Sequence, residues 1–379
     1  MRPRIAHRAR RSSSAPMTAP VFIGARIYRG SSYGTHHPLS IPRVPTVTDL
    51  SRALGWLPSE QYRTSPCAKP DALHGFHAPD YIDALQTAEA TLKPNLDFDL
   101  GSLSNPVFPE VYRRPATAAG GGLLAAELVR HGGVAYNPGG GTHHGLPDRA
   151  NGFCYINEPV LTIQHLLAQG LTRVAYVDID AHHCDGVAVG FHGSEEVRMI
   201  SVHEDGRWPF TGDVDDTAGG AAINIPVPRG FNDTEFTLIL NEVILPAVEA
   251  FRPEAIYLQC GADAVTEDPL SRLNLSNRCH VAAVKALRPL SPRFIVSGGG
   301  GYNPWSVGRA WTCVWATLAG QTIPDRLPTE AHAILAELTW TRKARPTADM
   351  LTTLLDPPRD GPVSEHVNDV VRRLKSRRG

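Results

Sequence analysis

One α/β domain, with a parallel sheet sandwiched between helices and its chemistry at the carboxyl ends of the strands, is the architecture this sequence predicts. Three observations lead there. Short β-branched runs alternate with longer stretches of helical periodicity. The runs are apolar throughout, as strands covered on both faces by helices must be. Clusters of Gly, His, Asp and Tyr follow the strands, where open α/β sheets gather their functional groups.

The expected strands are Gly133–Asn137, Arg173–Asp180, Val197–Val202, Ala255–Cys260 and Arg293–Ser297. The helical stretches between them are Thr117–Arg130, Pro159–Gln169, Asp233–Phe251 and Asn277–Leu287. Residues 1–20 lack an apolar core and read as a disordered leader, either a transit peptide or a dispensable extension ahead of Met17. Residues 21–328 form the catalytic domain. Residues 329–379, polar and Pro-rich with LTW and DMLTTLL fragments, read as a helical extension packed on that domain and ending in a frayed basic tail.

Composition narrows the function. The chain has 379 residues, 42% hydrophobic and 20% charged, enough for a large core. Residues 1–48 hold eight Arg and no acid, so the remainder carries 29 basic against 38 acidic residues. A net-acidic body argues against direct nucleic-acid binding, which needs a basic surface. No apolar run reaches the length of a membrane span. The six Cys are scattered without a CxxC pair, as in a reduced, cytoplasmic protein.

The strand ends carry the residues with chemistry. The first leads to Gly139-Gly140-Gly141-Thr142-His143-His144-Gly145, and the second to Ala181-His182-His183-Cys184-Asp185-Gly186. Two further strands end in Gly261-Ala262-Asp263 and in Gly298 through Gly301, then Tyr302-Asn303. Side chains alternate in a strand, so Asp178, Asp180 and His182 can share one side. Two carboxylates and an imidazole are costly to bury unless paired or metallated. A catalytic zinc takes three protein ligands and keeps an open position, which Asp180, His182 and the distant Asp263 would supply. Asp178 and Asp185 then match His143 and His144, because an Asp–His pair orients the imidazole and raises its basicity. Tyr302 is placed to donate to the oxyanion of a tetrahedral intermediate. Alone, an HH in a Gly-rich loop, a DxD at a strand end or a GGGG turn are equally ordinary turns and caps; their joint occurrence at four strand ends is the signal.

These residues resemble the histone deacetylase family, within the arginase/deacetylase fold group, and look closest to its bacterial acetoin-utilisation branch. The matching stretches are GGGTHHGLPDRANGFCYIN (139–157), RVAYVDIDAHHCDGV (173–187), SVHEDGRWPFTGD (201–213), YLQCGADAVTEDPL (257–270) and SGGGGYNPW (297–305), with HHPLSIPR (36–43) similar to the family's opening. The resemblance implies a roughly eight-stranded parallel sheet and one zinc ion per chain on Asp180, His182 and Asp263, with iron(II) as an alternative. It implies His143–Asp178 and His144–Asp185 dyads and Tyr302 as polariser of the acyl oxygen. Gly152, Phe153 and Trp208 would wall a narrow channel for the stem of an acetylated amine. It also implies structural potassium at Asp178, Asp180, His182, Ser201 and Val202, and a second potassium site at Phe191, Ser194 and Val197.

There are departures. Cys184 replaces a glycine, and Trp208 stands where Phe is common. Ser104-Asn105 occupy the region where many members carry a substrate-gripping acid. Leu270 sits where polyamine-specific members carry a Glu. The expected function is therefore zinc-dependent removal of acetyl groups, first from protein lysines, with small acylated amines of the acetylpolyamine type as the alternative. An arginase-like ureohydrolase would need a second metal at position 184, where Cys is a poor ligand for manganese. A non-catalytic scaffold would have lost one of these groups, and dinucleotide binding lacks a GxGxxG opening a helix. Oligomeric state stays open.

Overall fold

The computed structural model describes residues 19–377. The expected leader falls outside these residues except for Ala19 and Pro20. Eight strands form one sheet: β1 (Val21–Gly24), β2 (Tyr62–Thr64), β3 (Gly133–Asn137), β4 (Val174–Asp178), β5 (Val197–Glu204), β6 (Ala222–Val227), β7 (Ala255–Gln259) and β8 (Arg293–Ser297). Their order is β2-β1-β3-β8-β7-β4-β5-β6, and every pair is parallel.

The period of two along each strand divides the core. Ala175 and Val177 of β4 and Ile256 and Leu258 of β7 point into one apolar cluster. Val174, Tyr176, Ala255 and Tyr257 point into the other. Helices Arg113–Leu128 and Glu158–Ala168 pack on each other and on the sheet. Helix Pro304–Leu318 contacts helix Arg43–Ala53 and helix Arg278–Leu287. A third cluster around Tyr81, Leu85, Phe108 and Tyr155 lies beside the site.

The five strands read from sequence are β3, β4, β5, β7 and β8. β4 stops at Asp178 rather than 180 because Asp178 Oδ1 accepts the Asp180 N–H at 3.0 Å, a local turn that replaces a ladder bond. β1 and β2 are too short to show a period. β6 contains Pro226, which a central strand would not tolerate; it is the outer strand, where a missing N–H costs little. The stretch 233–251 is helical but passes through a π-turn over Leu240–Ile244, just before Pro246, whose ring and absent N–H disfavour the regular ladder.

The C-terminal extension differs from expectation at its end. Val367, Val370, Val371 and Leu374 form an apolar stripe on helix Glu365–Ser376 and join the larger core cluster. The basic tail is therefore helical through Ser376 rather than frayed. Arg373 pairs with Asp215 at 2.5 Å, Lys375 with Glu242 at 2.6 Å, and Arg377 with Asp215. Among the described residues no helix is long and apolar enough to cross a membrane.

Candidate active site

The sheet order makes β3, β8, β7, β4 and β5 contiguous, so the segments that follow them meet at one edge. Asp180 and His182 follow β4. Asp178 Oδ1 accepts the Asp180 N–H and Asp180 Oδ1 accepts the His182 N–H, each at 3.0 Å, a stepwise turn that sets both side chains. Asp263 arrives from β7 in the turn Ala262–Ala264, where its Oδ1 accepts the Ala181 N–H at 2.9 Å. His182 Nδ1 lies 2.9 Å from Asp263 Oδ2 and 3.2 Å from Asp180 Oδ1.

These three buried residues place their donor atoms within 4.8 Å of one another. The ion-pair partners of the two carboxylates among the described residues are imidazoles. Burial and the Asp180 carboxylate raise Asp263 to about 6, which is the mark of two like charges without a sufficient counter-charge. An Asp₂His set of this kind fits a divalent cation. Gly300 closes the set from β8: its N–H donates to Asp180 Oδ2 at 2.7 Å, and a Cβ there would stand 2.0 Å from Asp263 Oδ2, so only glycine fits.

Two imidazoles follow β3. His143 Nδ1 is 2.8 Å from Asp178 Oδ2, and His144 Nδ1 is 2.6 Å from Asp185 Oδ1. Their ring centroids are 3.9 Å apart, yet they titrate in opposite directions. Burial pushes both down. For His143 the carboxylates of Asp178 and Asp180 outweigh burial and raise it to about 9. For His144 the neighbouring His143 adds to burial and holds it at about 4. With Nδ1 engaged with a carboxylate in each case, Nε2 is the ring nitrogen left for a further partner.

Tyr302 follows β8 and is buried, its N–H bonded to Asp268 Oδ2 at 2.6 Å. Its ring lies edge-on to Phe153 at 5.8 Å. Trp208 packs edge-on to His144 at 4.7 Å. Phe153, Trp208, Leu270, His182 and Tyr302 line one open cleft with Gly152. Gly152 has φ +52°, and a Cβ there would stand 2.2 Å from the Trp208 ring and 2.9 Å from His144. Gly152, Phe153, Trp208 and Leu270 thus lie around one cleft.

The loop whose gripping acid was not legible is also defined. Ser104 lines the cleft. Asp99 turns inward, and its carboxylate accepts Asn105 Nδ2 at 2.6 Å, while Asn105 Oδ1 accepts the Phe153 N–H at 2.9 Å. Of the expected cation sets, Asp178 and Ser201 are register partners across β4 and β5, with Val202 beside them. Ser201 Oγ lies 2.9 Å from His203 Nδ1. Phe191 and Ser194 share the turn ahead of β5: Ser194 N–H donates to the Phe191 carbonyl at 3.0 Å, and Val197 N–H donates to Ser194 Oγ at 3.2 Å. Cys184 is buried in an apolar cluster, and burial pushes its thiol well up, so it fills space.

Sequence reasoning missed the supports behind these groups. Tyr176 donates its hydroxyl to Asp178 Oδ2 at 2.5 Å, the oxygen that also faces His143. Gln259 Nε2 reaches Asp180 Oδ2 at 3.2 Å and the Gly141 carbonyl at 3.3 Å. Buried Glu158 accepts the Gly141 N–H at 2.8 Å, fixing the loop that carries both imidazoles. The signal was present for Gln259, a lone amide in the apolar run AIYLQ.

A family model described as histone deacetylase domain matches residues 37–318. Histone deacetylase 19 of Arabidopsis thaliana is 34% identical over 308 residues, 78% of this chain and 61% of that protein. Histone deacetylase clr6 of Schizosaccharomyces pombe is 34% identical over 308 residues, 78% of this chain and 76% of that protein. The chain spans about three fifths of the length of several of these relatives. The crystal structure of a histone deacetylase homologue from Aquifex aeolicus superposes with a TM-score of 0.89 at 35% identity, covering 94% of this chain and 100% of that one. The structure of a homologue complexed with SAHA gives a TM-score of 0.90 at 35% identity, with the same coverage. With eight parallel strands and matching motifs at the edge where they end, the chain belongs to the histone deacetylase family.

Proposed function

We propose that this chain is a metal-dependent amidohydrolase that removes acetyl groups from amines, with lysine side chains of proteins as the first substrate class. One observation carries the reading: the Asp180–His182–Asp263 set, two His–Asp pairs and Tyr302 converge at a cleft walled by Phe153, Trp208 and Leu270. Zinc suits the donor set, with iron(II) as the second candidate. Bound by these three side chains, the metal would lower the pKa of a water to about 7 and polarise the acyl carbonyl.

The protein's own groups divide the rest of the work. His144, held neutral by burial and by His143, accepts a proton from the attacking water at Nε2. His143, its Nδ1 paired with the Asp178 carboxylate at 2.8 Å, donates from Nε2 to the leaving amine. The Tyr302 hydroxyl, its pKa raised well above normal by burial, stays protonated and donates to the developing oxyanion. Phe153, Trp208 and Leu270 shed water from an alkyl stem, each buried CH₂ contributing about 0.8 kcal/mol. Potassium at the first expected set, Asp178, Asp180, His182, Ser201 and Val202, would stiffen the Asp178–His182 segment.

The mouth favours a singly charged or neutral amine over a polyamine. No carboxylate lines the cleft among the described residues, and the Asp99 side chain is engaged with Asn105. The deciding experiment measures hydrolysis of acetyl-lysine peptides, acetylpolyamines and small acetamides by metal-loaded protein, with and without a chelator. Chelator-sensitive release of acetate from the peptides is the expected result; no hydrolysis of any acylated amine would end the proposal.

A further inference from the structure

Phe153 walls the cleft from a strained backbone position. The Asn151 N–H donates to the Cys154 carbonyl at 2.9 Å and the Cys154 N–H to the Asn151 carbonyl at 2.8 Å, so Gly152 and Phe153 form a two-residue hairpin tip. Both have left-handed φ, +52° and +69°, as a type I′ turn requires. Glycine suits both positions of such a turn, and a bulky aromatic at the second is costly. Phe153 is nonetheless held there from two sides. Its ring stands edge-on to His37 at 4.5 Å and to Tyr302 at 5.8 Å. Its N–H, which the hairpin pair leaves free, donates to Asn105 Oδ1 at 2.9 Å.

Asn105 is fully buried between two groups of opposite need. The Phe153 N–H can only donate. The Asp99 carboxylate, 2.6 Å from Asn105 Nδ2, can only accept when ionised. The side chain between them must accept on one side and donate on the other, which a carboxamide does in one orientation alone. Flipped, it would set its NH₂ against the N–H and its oxygen against the carboxylate. Asp99 therefore fixes the direction of the amide, through a bond strengthened by its charge. The Asn105 backbone is pinned as well: its N–H donates to Ser102 Oγ at 3.1 Å and its carbonyl accepts the Gly101 N–H at 2.7 Å. The next carbonyl, of Pro106, accepts the Tyr155 hydroxyl at 2.6 Å. Asp99, Asn105 and Phe153 thus form a chain of contacts from an outer loop to the wall of the cleft.

Resting on the hydrolase reading above, we infer that Asn105, oriented by Asp99, is a positioning residue that sets Phe153 against the stem of the acylated amine, and so selects amines with a straight alkyl stem over stemless amides. Contact with a stem needs a close wall, since a gap of about 0.5–1 Å forfeits a quarter to a half of the attraction. Without the Asn105 acceptor the left-handed conformation of Phe153 loses its support, and the ring withdraws from the cleft. The metal-ligand set and both His–Asp pairs are held by partners of their own, so the chemical step is spared.

The test compares wild type, Asn105→Asp, and the exchange Asp99→Asn with Asn105→Asp, all metal-loaded, with Tm reporting that each is folded. Asn105→Asp sets two carboxylates against each other. In the exchange the amide at 99 donates to the carboxylate at 105, whose other oxygen accepts the Phe153 N–H. Each protein is assayed on an acetyl-lysine peptide, and calorimetry measures hexanohydroxamate, which has a stem, against acetohydroxamate, which has none. In Asn105→Asp, KM for the peptide and Kd for hexanohydroxamate should each rise about tenfold, roughly the contribution of two buried methylenes. Over the same change kcat and the Kd for acetohydroxamate should stay within about threefold, because binding of the stem alone is lost. The exchange should recover most of the loss. Asn105→Ala, which removes the acceptor without adding charge, should show the same split and serves if Asn105→Asp does not fold. Equal weakening of both hydroxamates, or an exchange that folds without recovering, would overturn the inference. If the wild type hydrolyses the peptide and KM is unchanged in Asn105→Asp, the inference falls and the hydrolase reading stands. If the hydroxamates show the split yet the wild type hydrolyses no acylated amine, the positioning role stands and the hydrolase reading falls.

Discussion

The backbone N–H of Tyr302 donates to Asp268 Oδ2 at 2.6 Å, so the phenol is set by a carboxyl 34 residues earlier in the chain. Burial and the neighbouring Asp263 raise Asp268 to about 8, and it accepts this bond whether or not it is protonated. Tyr302→Phe should keep fold and metal content while turnover on an acetyl-lysine substrate falls about 10²–10³-fold, the usual effect of one oxyanion donor. Asp268→Ala should lower kcat about tenfold by misplacing the ring, with Asp268→Asn recovering most of it because an acceptor oxygen remains. Unchanged kcat in Tyr302→Phe would remove the role given to the phenol.

Metal content should follow the three donors. Asp180→Ala or Asp263→Ala removes one of three ligands, so neither variant should retain stoichiometric metal after dialysis, as elemental analysis reports. Chelation of the wild type should abolish activity and lower Tm, since it leaves two buried carboxylates facing each other. Stoichiometric metal in both variants would refute the ligand set.

Acid should destabilise the fold through His77. Its Nε2 accepts the Asn157 N–H at 2.9 Å, and Asn157 in turn donates Nδ2 to the carbonyls of His143 and Gly145. Burial holds His77 at about 4. In the unfolded chain it titrates near its ordinary value of about 6.5, so protons favour the unfolded state as pH falls between those values. The contribution is complete above about pH 6.5 and lost progressively down to about pH 4, by up to about 3 kcal/mol. His203, held at about 3 by burial, acts in the same direction. Tm should fall from about pH 7 to about pH 5, and His77→Gln, which keeps an acceptor without titrating, should flatten that slope.

The C-terminal extension should be inseparable from the domain. Arg309 and Asp356 form a buried ion pair at 2.6 Å, and Asp356 Oδ2 also accepts the Asn277 N–H at 3.0 Å. Asp356→Ala leaves the Arg309 charge buried without a partner, so urea denaturation should show a loss of about 3–5 kcal/mol. A change under about 1 kcal/mol would mean that the extension is an appendage.

Strand ends were the legible part of the site. Asp178, Asp180, His182, Asp263, His143, His144, Asp185 and Tyr302 each stood within a few residues of a recognisable apolar run, and a period of two already put three of them on one side. The supports were harder to see. Asp268 lies in a loop with no periodicity, and Tyr176 reads as an ordinary strand aromatic until its hydroxyl is found on Asp178. The short strands β1 and β2 and the Pro-bearing β6 carried too little pattern to read.

By itself the sequence determined the class of fold, the five inner strands and the residue types offered at their ends, because apolar periodicity and turn residues are local properties of the chain. Only the tertiary structure decided who meets whom. The order β3-β8-β7-β4-β5 brings Asp263 and Tyr302 beside segments that lie far away in sequence. It also decided that adjacent His143 and His144 titrate in opposite directions. Charge and burial act through space, and the chain alone does not state its distances.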